Sequence, residues 1–205
     1  RFQVDANVPI QLPDADLPIH PYVLGAWLGD GTSVSGCMTH HKDDIAHIDK
    51  IEGIGYSKGA VNVHKTTGAV RTNFLGLQSQ LKAAGLLNNK HIPEAYFNSS
   101  VQQRLELLAG LIDTGYIYHK NGRVTFSNIN RRLIDDVKRL VLSLGCRVTS
   151  CEYKPIMSTS GINGKNIVFQ VSFNPGFEIP CALKRKQSVN IGPAIRRRGI
   201  VSIVK

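Results

Sequence analysis

The run Leu107-Leu108-Ala109-Gly110-Leu111-Ile112-Asp113-Thr114-Gly115-Tyr116 constrains this chain more than any other stretch. It is apolar apart from small residues, and it closes on an acid. Ala109 and Gly110 would let a helix backbone press against a neighbouring helix, the use that close-packed helices make of small residues. Such a helix delivers one carboxylate into a seam, and a seam needs a second helix. Val23-Leu24-Gly25-Ala26-Trp27-Leu28-Gly29-Asp30-Gly31 follows the same pattern: apolar and small residues, then Asp-Gly. A separation of about 85 residues between the two predicts two similar halves, packed through paired helices with Gly25 and Gly110 near the crossing. The plainer reading of either stretch is an ordinary buried helix ending in Gly.

Leu108-Ala109-Gly110-Leu111-Ile112-Asp113-Thr114 resembles the signature of the LAGLIDADG homing endonucleases. Leu24-Gly25-Ala26-Trp27-Leu28-Gly29-Asp30-Gly31 resembles the looser first copy found in the single-chain members that sit inside inteins, including inteins of bacterial replication proteins. The resemblance covers roughly residues 19 to 190 and implies a saddle of two sheets above the paired helices. The domain order expected is a connector from a splicing domain (1–18), a first half (19–102), a second half (103–192) and a return segment toward the splicing domain (193–205). The chain lacks an initiator Met, as an excised or processed piece would, and with no nucleophile at its start and no terminal His-Asn it is not expected to splice by itself.

With 205 residues, 42% hydrophobic and 20% charged, the composition is that of a globular protein with a real core. A net charge of +10 calls for a polyanionic partner. Cys37, Cys146, Cys151 and Cys181 form no C-x-x-C and no zinc-finger spacing, so they read as reduced thiols, most of them filling core. No run approaches the ~18 apolar residues of a membrane span. A cytoplasmic monomer is the expectation.

Along the chain, Arg1 to Pro18 carries Pro9, Pro13 and Pro18 and reads as an extended connector. Pro21 suits the first turn of the first motif helix. Thr32 to His41 reads as strand, 43–54 as a short amphipathic helix, 60–65 and 70–74 as a hairpin, and 75–87 as a helix. The second half repeats this: a helix over 101–114, a hairpin turning at Lys120-Asn121-Gly122, a helix over 131–144, strands over 147–153 and 167–173, and a basic turn or short helix over 180–186. The fold class is α+β, each half running helix, two strands, helix, two strands, helix. His40-His41 does not read as a metal pair, because adjacent strand residues point to opposite faces.

By the resemblance, Asp30 is the metal ligand of the first half. Paired divalent metals suit phosphodiester hydrolysis, and magnesium prefers carboxylate, water and phosphate oxygens, so Mg2+ is the expected cofactor and long double-stranded DNA the expected partner. The second copy departs from the pattern. Where the family reads Asp-Thr-Asp-Gly, this chain reads Asp113-Thr114-Gly115-Tyr116, so Gly115 stands where the second metal acid belongs. By the resemblance Asp113 matches the earlier acid of the motif, which is structural more often than catalytic. Lys90 and Lys186 match the basic residues that the family keeps near the hydrated metals, Lys184 being the alternative to Lys186, and plain phosphate contact being the alternative role for each. On the strands and hairpin tips, Lys65, Arg71, Lys120, Arg123, Lys154 and Lys165 are candidates for DNA contact, since Lys and Arg neutralise phosphates and a β-ribbon fits the major groove. Two functions stay open: a magnesium-dependent homing endonuclease, impaired by the missing acid, or a DNA-binding module of the same fold that no longer cuts.

Overall fold

A computed structural model of the chain describes residues 3–5, 8–65, 67–118, 122–154, 165–187 and 197–199. Two helices form its centre: α1 (Pro21–Asp30) and α5 (Val101–Thr114). In α1 every residue from Pro21 to Leu28 is buried. That is why the apolar character of α1 runs all the way round instead of along one stripe. Pro21 sits at its first turn, where a missing N–H costs nothing. α5 starts with a capping box: Ser100 accepts from the Gln103 N–H, and Gln103 returns the bond.

The helices cross at two glycines. A Cβ added to Gly25 would lie 2.1 Å from the Leu107 carbonyl oxygen, and one added to Gly110 would lie 2.2 Å from that of Tyr22. Both are backbone atoms that cannot step aside, so the crossing needs glycine on both sides.

Around this pair the chain is built twice. The first half holds β2 (Cys37–His41), α2 (Ile45–Ile54), β3 (Lys58–Val63), β4 (Ala69–Phe74), α3 (Leu77–Ala83) and the single-turn α4 (Glu94–Phe97). The second holds β5 (Tyr116–Tyr118), β6 (Arg123–Asn128), α6 (Arg131–Ser143), β7 (Val148–Tyr153), β8 (Val168–Phe173) and a 3-10 turn (Lys184–Lys186). The strand order is β2-β4-β3 in one antiparallel sheet and β5-β6-β8-β7 in the other. One continuous core joins the halves, from Met38, Ile48, Ile51 and Phe74 through the central helices to Val124, Phe126, Leu133, Val137, Val171 and Phe173.

Between α1 and α2 the first half has one strand where the pattern calls for two. The missing strand survives as a single bridge, Gly31 to Met38. Thr32 to Gly36 alternates like a strand but turns on itself, Ser35 N–H bonding Thr32 O at 3.1 Å and the Trp27 indole N–H bonding Ser35 O at 2.8 Å. Local bonds of hydroxyl-rich segments compete with a ladder in this way. With that bridge in the place of β5, the two sheets share one order. The boundary placed after residue 102 falls in the first turn of α5.

The lead-in is fastened rather than free. Fully buried Arg104 donates to Ile10 O, to Ser99 O at 3.1 Å and to Ser143 O at 2.9 Å. The Gln103 amide brackets Ala15, accepting from its N–H at 2.9 Å and donating to its carbonyl at 2.7 Å. Further out, β1 (Gln3–Asp5) pairs antiparallel with β9 (Arg197–Gly199), each a strand of three residues. Residues 193–196 and 200–205 of the return segment lie outside the described residues.

Candidate functional site at the ends of the paired helices

Beyond the crossing, α1 runs on from Gly25 to Asp30, whereas α5 runs from Gly110 only to Thr114, one residue less. Asp30 therefore ends one helix, while Gly115, which ends the other, has no side chain to offer. A Cβ on Gly29 would lie 1.8 Å from Thr114 Oγ1, so the two helix ends touch just behind Asp30.

An aspartate at a helix C-terminus stands against the helix dipole. Lys90 offsets this. Its ammonium donates to the carbonyls of Trp27 at 2.9 Å, Leu28 at 3.1 Å and Gly31 at 2.7 Å, and it lies 4.8 Å from the centre of the Trp27 ring. Two of these carbonyls lie in the last turn of α1 and the third on Gly31 just past it, so Lys90 caps the helix's C-terminus. Burial pushes Lys90 down to about 8, with the Asp30 carboxylate pulling the other way. The Asp30 side chain reaches solvent, yet protein crowds it closely, and this desolvation raises its carboxyl while Lys90 and Lys186 pull it back. An acid raised by desolvation and ringed by cations in a cleft has the features of a working site.

Lys186 comes from the opposite half. It is 7% exposed, and among the described residues its ammonium has no hydrogen bond. Burial lowers it first and Arg185 lowers it further, while Asp113, Asp44 and Cys181 raise it. The two lysines therefore differ: Lys90 has its three N–H groups engaged, and those of Lys186 find no acceptor among the described residues. Lys184, the alternative to Lys186, is exposed.

Asp113 is no surface ligand. At 3% exposure it accepts from the Tyr22 hydroxyl at 2.5 Å and from the N–H groups of Ala182 at 2.7 Å and Leu183 at 3.1 Å. It thereby ties α1, α5 and the segment leading to Lys186 into one knot.

A cleft of about 300 Å³ opens beside Asp30, lined also by Thr39, His40, His41, Thr67 and Ala69. His40 points inward and bonds Thr72 Oγ1 at 3.0 Å, while the His41 side chain is half exposed and pairs with Asp43 at 3.3 Å, so the neighbours do face apart. The outer face of the first sheet carries the row Thr39, Arg71, Asn62 in register, with Lys65 exposed at the turn beyond. On the second sheet Arg123 donates to Thr149 at 3.0 Å, and Gln170 donates to Ser127 at 3.0 Å. Lys154 and Lys165 are exposed beyond the ends of β7 and before β8. Lys120 lies outside the described residues. The cleft residues Thr39 and Thr67 carry no sequence signal that marks them. They become visible only when the strands pair.

Among the described residues no group of three or more His, Cys, Asp or Glu side chains could hold a metal ion. The donor set at Asp30, one carboxylate, fits a hard cation only where a phosphate supplies further oxygens. At Gly115 no side-chain oxygen exists to fit a second.

A family model described as "LAGLIDADG-like domain" matches residues 102–166. The chain carries a LAGLIDADG-like domain. A replicative DNA helicase DnaB of Mycobacterium intracellulare is 37% identical over 180 residues, which is 86% of this chain but only 27% of the helicase. The chain thus spans about a quarter of that relative's length. Among solved structures, the homing endonuclease I-DmoI in complex with DNA and Mn is 16% identical, covering 77% of this chain and 89% of its own, with a TM-score of 0.48. Mesophilic variants of I-DmoI align over 77% and 88% at 15% identity and the same score. The LAGLIDADG-like match begins at Gln102, inside α5, and α1 packs against that helix. Among the described residues, no helix of the domain is long and apolar enough to cross a membrane.

Proposed function

We propose that this chain is a site-specific DNA endonuclease domain with one working centre, which nicks one strand of a long duplex and leaves the other intact. The observation that carries the reading is the asymmetry of the helix ends: Asp30 with Lys90 and Lys186 about it, and Gly115 with no carboxylate. The net charge of +10 and the exposed basic side chains Lys65, Arg71, Arg123, Lys154 and Lys165 support DNA as the substrate. The match to about a quarter of a replicative helicase supports an intein in such a helicase as the carrier.

A magnesium ion held by Asp30 and substrate phosphate oxygens would supply charge stabilisation at the scissile phosphate. The chain's own groups do the rest. Lys90 holds the end of α1, and so Asp30, in place. Lys186, with N–H groups to give, stabilises the negative charge that gathers on the phosphate oxygens or steers the attacking water. The outer sheet faces hold the duplex.

The test uses a supercoiled plasmid bearing the intein insertion site and magnesium. The wild-type chain yields open circles, Asp30→Asn yields none, and chelation of the metal stops the reaction. DNA retained by the chain with no metal-dependent nicking at all would favour the binding-module reading instead. Affinity that does not fall between low and physiological salt would remove DNA from the account, because released counterions impose that fall.

A further inference from the structure

Each half's lysine-bearing segment is held by the other half. The Lys90 carbonyl accepts from Asn130 Nδ2 at 2.8 Å, and the Ile92 N–H donates to Asp136 Oδ2 at 2.9 Å. Asn130 caps α6 and Asp136 lies within it, so both belong to the second half. The reverse arrangement holds Lys186. Arg185, its neighbour, forks onto Asp44 with bonds of 3.1 and 2.5 Å, and Lys50 donates to Pro180 O at 2.9 Å. Asp44 stands at the N-cap position of α2 and Lys50 lies within it, so both belong to the first half.

Asp44 and Asn130 occupy the same place in the repeat, the residue before the helix that follows the first strands of each sheet. Asn130 does what such a residue ordinarily does: its side chain accepts from the Leu133 N–H at 3.2 Å. The Asp44 side chain makes no capping bond. Both of its oxygens go to Arg185, across 141 positions of sequence. Burial would raise the Asp44 carboxyl, but the Arg185 guanidinium holds it below the usual range. The side chain has given up a local bond for a distant one.

The turn it grips is short. Lys184–Lys186 is anchored upstream by Asp113, through Ala182 and Leu183, and on its outer side by Arg185. The Lys186 backbone N–H donates to Leu183 O at 2.8 Å, but its ammonium makes no hydrogen bond among the described residues, so the anchors of the turn set where that ammonium stands relative to Asp30. We propose that the Asp44–Arg185 pair is a positioning device for Lys186, through which the first half sets the place of the second half's lysine. The role as a catalytic aid rests on the endonuclease reading, whereas the positioning itself does not.

Reductive methylation of the free chain, read lysine by lysine by mass spectrometry, tests the pair without requiring cleavage. Asp44→Asn keeps a capable capping residue and should label Lys186 several-fold faster while Lys90 labels at the wild-type rate. Asp44→Glu keeps the charge and should stay near wild type. Lys186 labelling that does not change in Asp44→Asn, or that rises equally in Asp44→Glu, overturns the proposal. On the target plasmid, Asp44→Asn should lower kcat for nicking by about 10²-fold, the loss that a misplacement of about an ångström brings, without weakening DNA affinity. A wild-type nicking rate in that variant also overturns it. A wild-type chain that does not nick counts against the endonuclease reading alone, and the labelling result then decides the positioning.

Discussion

Tyr22 donates its hydroxyl to Asp113 Oδ2 at 2.5 Å across the seam between α1 and α5. The bond makes the earlier acid of the second motif a structural joint, because the same carboxylate also accepts from Ala182 and Leu183. Asp113→Asn offers one acceptor oxygen in place of two and turns an N–H toward the donors. The expected loss is about 2–3 kcal/mol, the scale of buried bonds to a charged group. Urea unfolding measures it, and an unchanged midpoint would show that the knot does not matter.

Gly110 and Gly53 separate two effects of the same substitution. At Gly110 a Cβ meets backbone on the facing helix, whereas at Gly53, inside α2, it meets nothing within 4 Å. Gly110→Ala should cost ~1–3 kcal/mol or more by forcing the helices apart. Gly53→Ala should gain about 0.5–1 kcal/mol, because alanine loses less backbone freedom in a helix. Thermal melts of the two variants check both signs, and equal behaviour would contradict the close crossing.

His47 predicts an acid limit. It is 3% exposed, its Nδ1 has no hydrogen-bond partner among the described residues, and its ring lies edge-on to His40 at 5.4 Å. Burial, then His40, lowers it to about 4 from 6.5. The unfolded chain therefore takes up this proton first as pH falls. Stability held above pH 6.5 declines between there and about 4, by at most about 3 kcal/mol from this residue. His47→Leu should flatten that slope in urea midpoints taken across the window. A slope unchanged by the substitution would place the acid sensitivity elsewhere.

The central helices were legible because their physics is local: Gly25 and Gly110 mark the crossing, and the apolar runs mark the burial. The strand pairs β3–β4 and β5–β6 announced themselves by alternation, while Lys120 and Asn121 of the expected turn lie outside the described residues. The strand expected over Thr32 to His41 forms only from Cys37 onward, because Thr32 to Gly36 satisfies its own polar groups, which alternation does not reveal. Lys90 and Lys186 looked equivalent in sequence. Their difference lies in which carbonyls stand within reach, and only the folded chain fixes that. Asp44 read only as part of the short helix over 43–54, since nothing near it in sequence points to Arg185.

The helix ends carry the functional reading, and strand-resolved cleavage tests it most directly. A target duplex labelled differently on its two strands is incubated with magnesium and either the wild-type chain or a variant with Asp inserted between Thr114 and Gly115. Loss of one metal-binding carboxylate should slow its strand ~10³-fold or more. The wild-type chain should therefore cut one strand only, and the insertion should restore cutting of the other. Rapid cutting of both strands by the wild-type chain would contradict a single working centre at Asp30.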